Sequence, residues 1–120
     1  MARSDAAMTI NLIQTLPAMI KRFFEASNRH DTAATIGCFT RDVTLEDQFG
    51  EYVGRAAVEN RLIEVNHKFR PAFAILRVKP TEADVGLVVS VSGDFPGSPV
   101  QLDFHFQLRG GKISALTMER

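Results

Sequence analysis

The sequence predicts an α+β fold: three N-terminal helices packed on one face of a strongly curved, mostly antiparallel sheet. Two observations predict it. Up to Phe69 the apolar residues recur at three- and four-residue spacing, and from Ala72 onward they alternate at every second position. The second half is also cut into strand-length pieces by turn signals at Pro80, "FPGSP" and "RGG". No linker or low-complexity stretch divides the chain, so residues 1–120 read as one domain.

Each element follows in order. "MARSDAAMTINLIQTLPAMI" has one early arginine, soon followed by Asp5, and lacks both a long apolar core and a small-residue cleavage site. It reads as part of the fold rather than a signal peptide. In "PAMIKRFFEASNRHD" the residues Ile20, Phe23, Phe24 and Ser27 form one amphipathic face, with Pro17 starting or kinking the helix. Asp31 suits the cap of a short helix, "TAATIGCF", in which Ala34, Ile36 and Phe39 are apolar and Gly37 weakens the run. "VTLED" reads as a strand of about four residues, and "GEYVGR", with two glycines, as a turn. A third helix, "AAVENRLIEVNHKF", places Val58, Leu62, Val65 and Phe69 on one face and Glu59, Arg61, Asn66 and Lys68 mostly on the other, before Pro71 ends it. Four strands follow: "AFAILRVKP", "EADVGLVVSVSG", "VQLDFHFQL" and "KISALTM".

Composition excludes several functions. Fourteen basic and fourteen acidic side chains cancel, which argues against nucleic acid and against an anionic membrane surface as partners. No stretch approaches the ~20 apolar residues of a membrane span. The single cysteine, Cys38, permits no intramolecular disulfide, fits a reducing, cytoplasmic setting and reads as a buried thiol. The histidines, His30, His67 and His105, lack ligand spacing, so neither a metal nor another cofactor is expected.

A bent sheet closed by helices leaves a cone with an apolar interior, a natural place for a small ligand. On "VTLED", Val43, Leu45 and Asp47 share one face, and Thr44 and Glu46 the other. If Val43 and Leu45 point inward, Asp47 reaches the pocket mouth, where partial desolvation makes a carboxylate a usable base. The other reading has Asp47 cap the "QFGEY" turn through a side-chain oxygen, and both stay open. Glu46 reads as solvated, and Arg61 and Asn66 could reach the pocket from their helix, although its polar face favours the solvated reading for both. Tyr52, the only tyrosine, either packs half-buried or donates its hydroxyl into the mouth. In "LDFHFQL" the residues Phe104, Phe106 and Leu108 alternate with Asp103, His105 and Gln107, which places the aromatics inside and the polar set outside. That set and the stripe Val85, Leu87, Val89 and Val91 cannot all lie inside one small cone, so a homodimer through the outer sheet face is expected.

Three stretches, "FFEASNRHDTAATIGCFTRDVTLED", "VGRAAVENRL" and "FHFQLRGGKISAL", resemble the nuclear-transport-factor-2-like (NTF2-like) superfamily. Within it the chain is similar to the ketosteroid isomerases and the SnoaL-like, polyketide-cyclase-like proteins, from Ile20 to Met118. The resemblance implies a cone-shaped α+β fold. It also puts Asp47 where ketosteroid isomerases carry their general base, in a matching Glu-Asp pair. The isomerases' oxyanion donors, a tyrosine and a protonated aspartate, match Phe23 and Phe104 here, and neither can donate. Two functions follow. One is an isomerase, cyclase or hydratase using Asp47 as base, with Tyr52 as a secondary candidate, on a small apolar, carbonyl-bearing ligand held among Phe23, Phe39, Val43, Leu45, Leu62, Phe104 and Phe106. The other is a non-catalytic ligand-binding or dimeric interaction module with a structural Asp47.

Overall fold

The computed structural model describes residues 13–120, so the reading of the first twelve residues lies outside it. Helix α1 spans Ala18–Asn28, with Pro17 at its N-cap in an extended conformation, φ −52° and ψ 142°. Pro17 therefore starts the helix and does not kink it. Ile20, Phe23, Phe24, Ala26 and Ser27 form its buried face. Helix α2 spans Thr32–Ile36, and Asp31 caps it by accepting from the Ala34 amide at 3.0 Å. The strands are β1 (Phe39–Asp47), β2 (Gly50–Val53), β3 (Ala72–Val78), β4 (Val85–Ser92), β5 (Val100–Arg109) and β6 (Lys112–Glu119), with helix α3 (Arg55–Phe69) between β2 and β3.

Two elements differ from expectation. The first strand has nine residues, because Phe39 leaves the helical run and pairs with Ile113 of β6. "GEYVGR" is not a bare turn. Residues Gly50–Val53 form an edge strand antiparallel to β1, and Gly54, at φ 89°, makes the corner into α3. Glycine is suited to that corner because a β-carbon disfavours positive φ.

The sheet is mixed but largely antiparallel, in the order β2-β1-β6-β5-β4-β3. Its parallel pair is β1 with β6, which joins the first strand to the last. Register shifts between Phe39 and Thr44, Ile75 and Arg77, and Gln107 and Leu108 interrupt the ladders. Bulges of this kind bend strands, and here they accompany a sheet that curls around the helices. Among the described residues the architecture is α+β and NTF2-like, with α1, α2 and α3 on a curved six-stranded sheet.

The core lies between α1 and the concave face. Phe24 stacks on Phe104 at 5.9 Å between ring centroids, and Phe23 meets Phe106 edge-on at 5.5 Å. Val85 is opposite Phe106 and Leu87 opposite Phe104, so the valine stripe faces inward. Asp103 and His105 lie on the other face. There Asp103 pairs with Lys79, while His105 contacts Thr81 and Glu119. Helix α3 completely buries only Val58. Its Leu62, Val65 and Phe69 wall a cavity instead of entering the core.

Candidate functional site

The cone encloses a cavity of about 670 Å³, inside the range typical of small-molecule sites. Phe23, Phe39, Leu45, Leu62 and Phe104 all stand on its wall. Val43 and Phe106, the other two residues expected there, do not. Both are wholly buried in the core, and the Phe23 ring, which is on the wall, packs against Phe106. Sequence alternation assigns a residue to the inner face but not to a depth along the cone.

Other wall residues carry no local signal of their role. Phe95, in the "FPGSP" loop, packs edge-on against Phe69 at 5.9 Å, and the Asp94 amide donates to the Phe69 carbonyl at 2.7 Å. Both contacts hold the loop against the C-terminal end of α3. Ser27, Thr35 and Asn66, one from each helix, add polar groups to the wall. Asn66 is thus not on a solvated face, and its side chain donates to the Thr32 hydroxyl at 3.1 Å.

Asp47 ends β1 on the same face as Val43 and Leu45 and stands on the cavity wall. Its Oδ1 accepts from the Phe49 amide at 2.8 Å and the Gly50 amide at 3.1 Å. Its Oδ2 accepts from Arg61 Nε at 3.0 Å. The side chain therefore closes the β1–β2 turn and faces the cavity at once. A carboxylate has about four lone-pair sites. Three are occupied, which leaves one on Oδ2.

Arg61 also departs from the solvated reading that its helix position suggests. Its side chain is 11% exposed, beside 13% for Asp47. The guanidinium carbon lies 5.5 Å from the Phe49 ring centroid and 5.3 Å from that of Tyr52. Burial pulls the Arg61 pKa down, but the Asp47 charge and hydrogen bonds to Asp47 and Glu64 outweigh it, and the net direction is upward. Tyr52 is half-buried and not on the cavity wall, so its ring supports Arg61. The polar centre is thus an aspartate–arginine pair drawn from β1 and α3. Nothing in the local periodicity of either element announces it.

Among the described residues no three histidine, cysteine, aspartate or glutamate side chains gather as a metal site, and no helix is long and apolar enough to cross a membrane. Cys38 is buried, and burial raises its thiol pKa against the opposing pull of Arg22 and Lys112.

The profile of the SnoaL-like domain matches residues 20–116. Among solved structures, a candidate polyketide cyclase from Sinorhizobium meliloti is similar at 26% identity and a TM-score of 0.83, over 88% of this chain and 97% of that one. A protein from Catenulispora acidiphila with a ketosteroid isomerase-like fold, in complex with trimethylamine, is 17% identical with a TM-score of 0.75, over 88% of this chain and 87% of that one. A computationally designed 17-OHP binder is 14% identical with a TM-score of 0.73, over 85% of this chain and 87% of that one. No curated protein matches significantly.

Proposed function

The chain belongs to the SnoaL-like domain family, and from that premise we propose that it binds a small, largely apolar, carbonyl-bearing molecule in the cone and moves a proton on it with Asp47 as general base. One observation carries the reading: Asp47, whose Oδ2 accepts a single hydrogen bond among the described residues, stands on the wall of an apolar cavity of about 670 Å³. A base so placed can take a proton from a carbon beside a carbonyl. Returning that proton to another atom gives an isomerase, and using the carbanion as a nucleophile within the same molecule gives a cyclase. Proton transfer of this kind balances without redox or group-transfer chemistry, so the proposal includes no cofactor. Proteins of this shape bind small molecules, trimethylamine in one and 17-OHP in another, which supports a small-molecule ligand here.

Steroid isomerisation is not part of the proposal. Phe23 and Phe104 stand on the cavity wall, and the resemblance to ketosteroid isomerases matches them with the hydrogen-bond donors of those enzymes. Loss of one such donor commonly costs about a hundredfold or more in rate. Unless another element supplies a donor, an unconjugated ketosteroid should bind but turn over poorly, and efficient growth of conjugated-enone absorbance would show that such a donor is present.

A second reading, a ligand-binding module with a structural Asp47, is favoured by the two backbone amides that Oδ1 accepts. Exchange of the central methylene protons of benzoylacetone in heavy water, followed by NMR, separates the two. Asp47→Asn should slow protein-dependent exchange by about a hundredfold or more if Asp47 is the base. An unchanged rate, with the probe still bound, would leave the binding module. A homodimer through the outer sheet face and a reducing, cytoplasmic setting, in keeping with the buried thiol, complete the proposal.

A further inference from the structure

We infer that Arg61 supplies the oxyanion contact that Phe23 and Phe104 cannot, by binding the carbonyl oxygen of the ligand through its Nη2 amine beside Asp47. This rests on the proposed proton transfer and assigns the electrophilic half of the same site.

The guanidinium is planar, and its Nε–H and one Nη2–H project in parallel from a single edge. A carboxylate ordinarily takes such an edge with both oxygens. Asp47 takes only half of it. Its Oδ2 accepts from Nε at 3.0 Å, while Oδ1 is turned away and held by the amides of Phe49 and Gly50. Arg61 Nη1 is engaged by Glu64, whereas Nη2 has no acceptor among the described residues. Arg55 Nε is the one buried side-chain polar atom there without a partner, so Nη2 keeps an accessible surface, and Arg61 lines the cavity. The contacts with Phe49 and Tyr52 fix the plane of the guanidinium. What is left is a charged donor, mostly buried and pre-oriented, next to a carboxylate oxygen with a spare lone pair.

The step balances at this site. A ligand carbonyl oxygen accepts from Nη2, and its α-carbon faces Asp47 Oδ2. The C–H bond breaks, an O–H bond forms on Oδ2, and the electron pair moves onto the carbonyl oxygen as an enolate. The negative charge passes from Oδ2 to the ligand oxygen along one guanidinium edge, so Arg61 remains paired with an anion throughout. Donors already in place where charge develops require no reorganisation during the reaction.

A positioning residue in place of Arg61 would act only by holding Asp47, and removing Asp47 as an anion separates the two roles. Benzoylacetone is titrated into Asp47→Asn and into Asp47→Asn with Arg61→Gln, and the enolate absorbance of the bound probe is read below its own pKa. Butylbenzene, which has no oxygen, serves as the control ligand, and circular dichroism as the check of folding. Asp47→Asn should show bound enolate. The double variant should form about tenfold less of it, or lower still, while butylbenzene binds alike, since the second substitution removes a charge-assisted hydrogen bond to the enolate oxygen. Equal enolate on both proteins would overturn the inference and reduce Arg61 to a positioning residue. Should the glutamine variant not fold, Arg61→Lys replaces it. That variant keeps a cation but not the planar edge, and should lose most of the signal; full retention would overturn the inference. Failure of the wild type to bind either molecule would refute the apolar-ligand reading itself, and this inference with it.

Discussion

At Asp47, Oδ1 closes the β1–β2 turn and Oδ2 faces Arg61, so truncating the side chain and neutralising it have different consequences. Asp47→Ala removes every acceptor and leaves a mostly buried guanidinium with only the exposed Glu64 as its anion. It should cost about 2 kcal/mol or more in urea unfolding. Asp47→Asn keeps an oxygen for the turn amides and should cost about half as much; equal losses would show that the turn contacts contribute little. Cys38 gives a second prediction. Burial raises its thiol pKa in the folded state, so the native protein holds a proton that the unfolded chain has begun to release. Its stability contribution is complete below the unfolded thiol value and is lost as pH rises through the folded one. Alkaline unfolding of the wild type should therefore steepen relative to Cys38→Ala, and parallel pH profiles would contradict the shift. Alternation made the inward face of Asp47 legible. Arg61 was not, because it lies on the side of α3 that its own helical pattern reads as polar.

Among the elements, the junction of α3 with the β4–β5 loop shapes the cavity. A β-carbon on Gly93 would stand 2.5 Å from the Phe69 carbonyl oxygen, a backbone atom that cannot rotate away. Gly93→Ala should therefore shift the loop, cost about 1–3 kcal/mol, and weaken butylbenzene binding by disturbing the Phe69–Phe95 contact. Calorimetry on folded protein reads the binding, and wild-type affinity in the variant would show that the loop does not close the site. Helices α1 and α3, β3 to β6 and the Asp31 cap were all legible, since each satisfies its hydrogen bonds or buries its stripe by a local rule. Strand β2 was not. Its four residues begin with Gly50 and run into Gly54, which gives them a turn signature, and only pairing with β1 makes them a strand.

For the whole molecule, oligomeric state is the open physical quantity. The stripe Val85, Leu87, Val89 and Val91 faces inward, so it does not motivate the proposed homodimer. The outer face bearing Asp103 and His105 must provide the contact by itself, and an antiparallel sheet can leave such a face wet. Light scattering at micromolar concentration should give twice the chain mass. A particle of 13.3 kDa would end the proposal. One cooperative unfolding transition is expected if residues 1–120 form a single domain, and two separated transitions would divide it.

The sequence by itself determined the α+β class, the order of helices and strands, the inward face of β1 with Asp47 on it, and the aromatic lining at Phe23 and Phe104. These follow from periodicity, which backbone geometry imposes residue by residue. Tertiary structure alone decided the parallel pairing of β1 with β6, the depth at which Val43 and Phe106 leave the cavity wall, and the meeting of Arg61 with Asp47. Each depends on how far the sheet curls and where α3 crosses it. Those are set by the packing of the whole core, to which no short stretch of sequence has access.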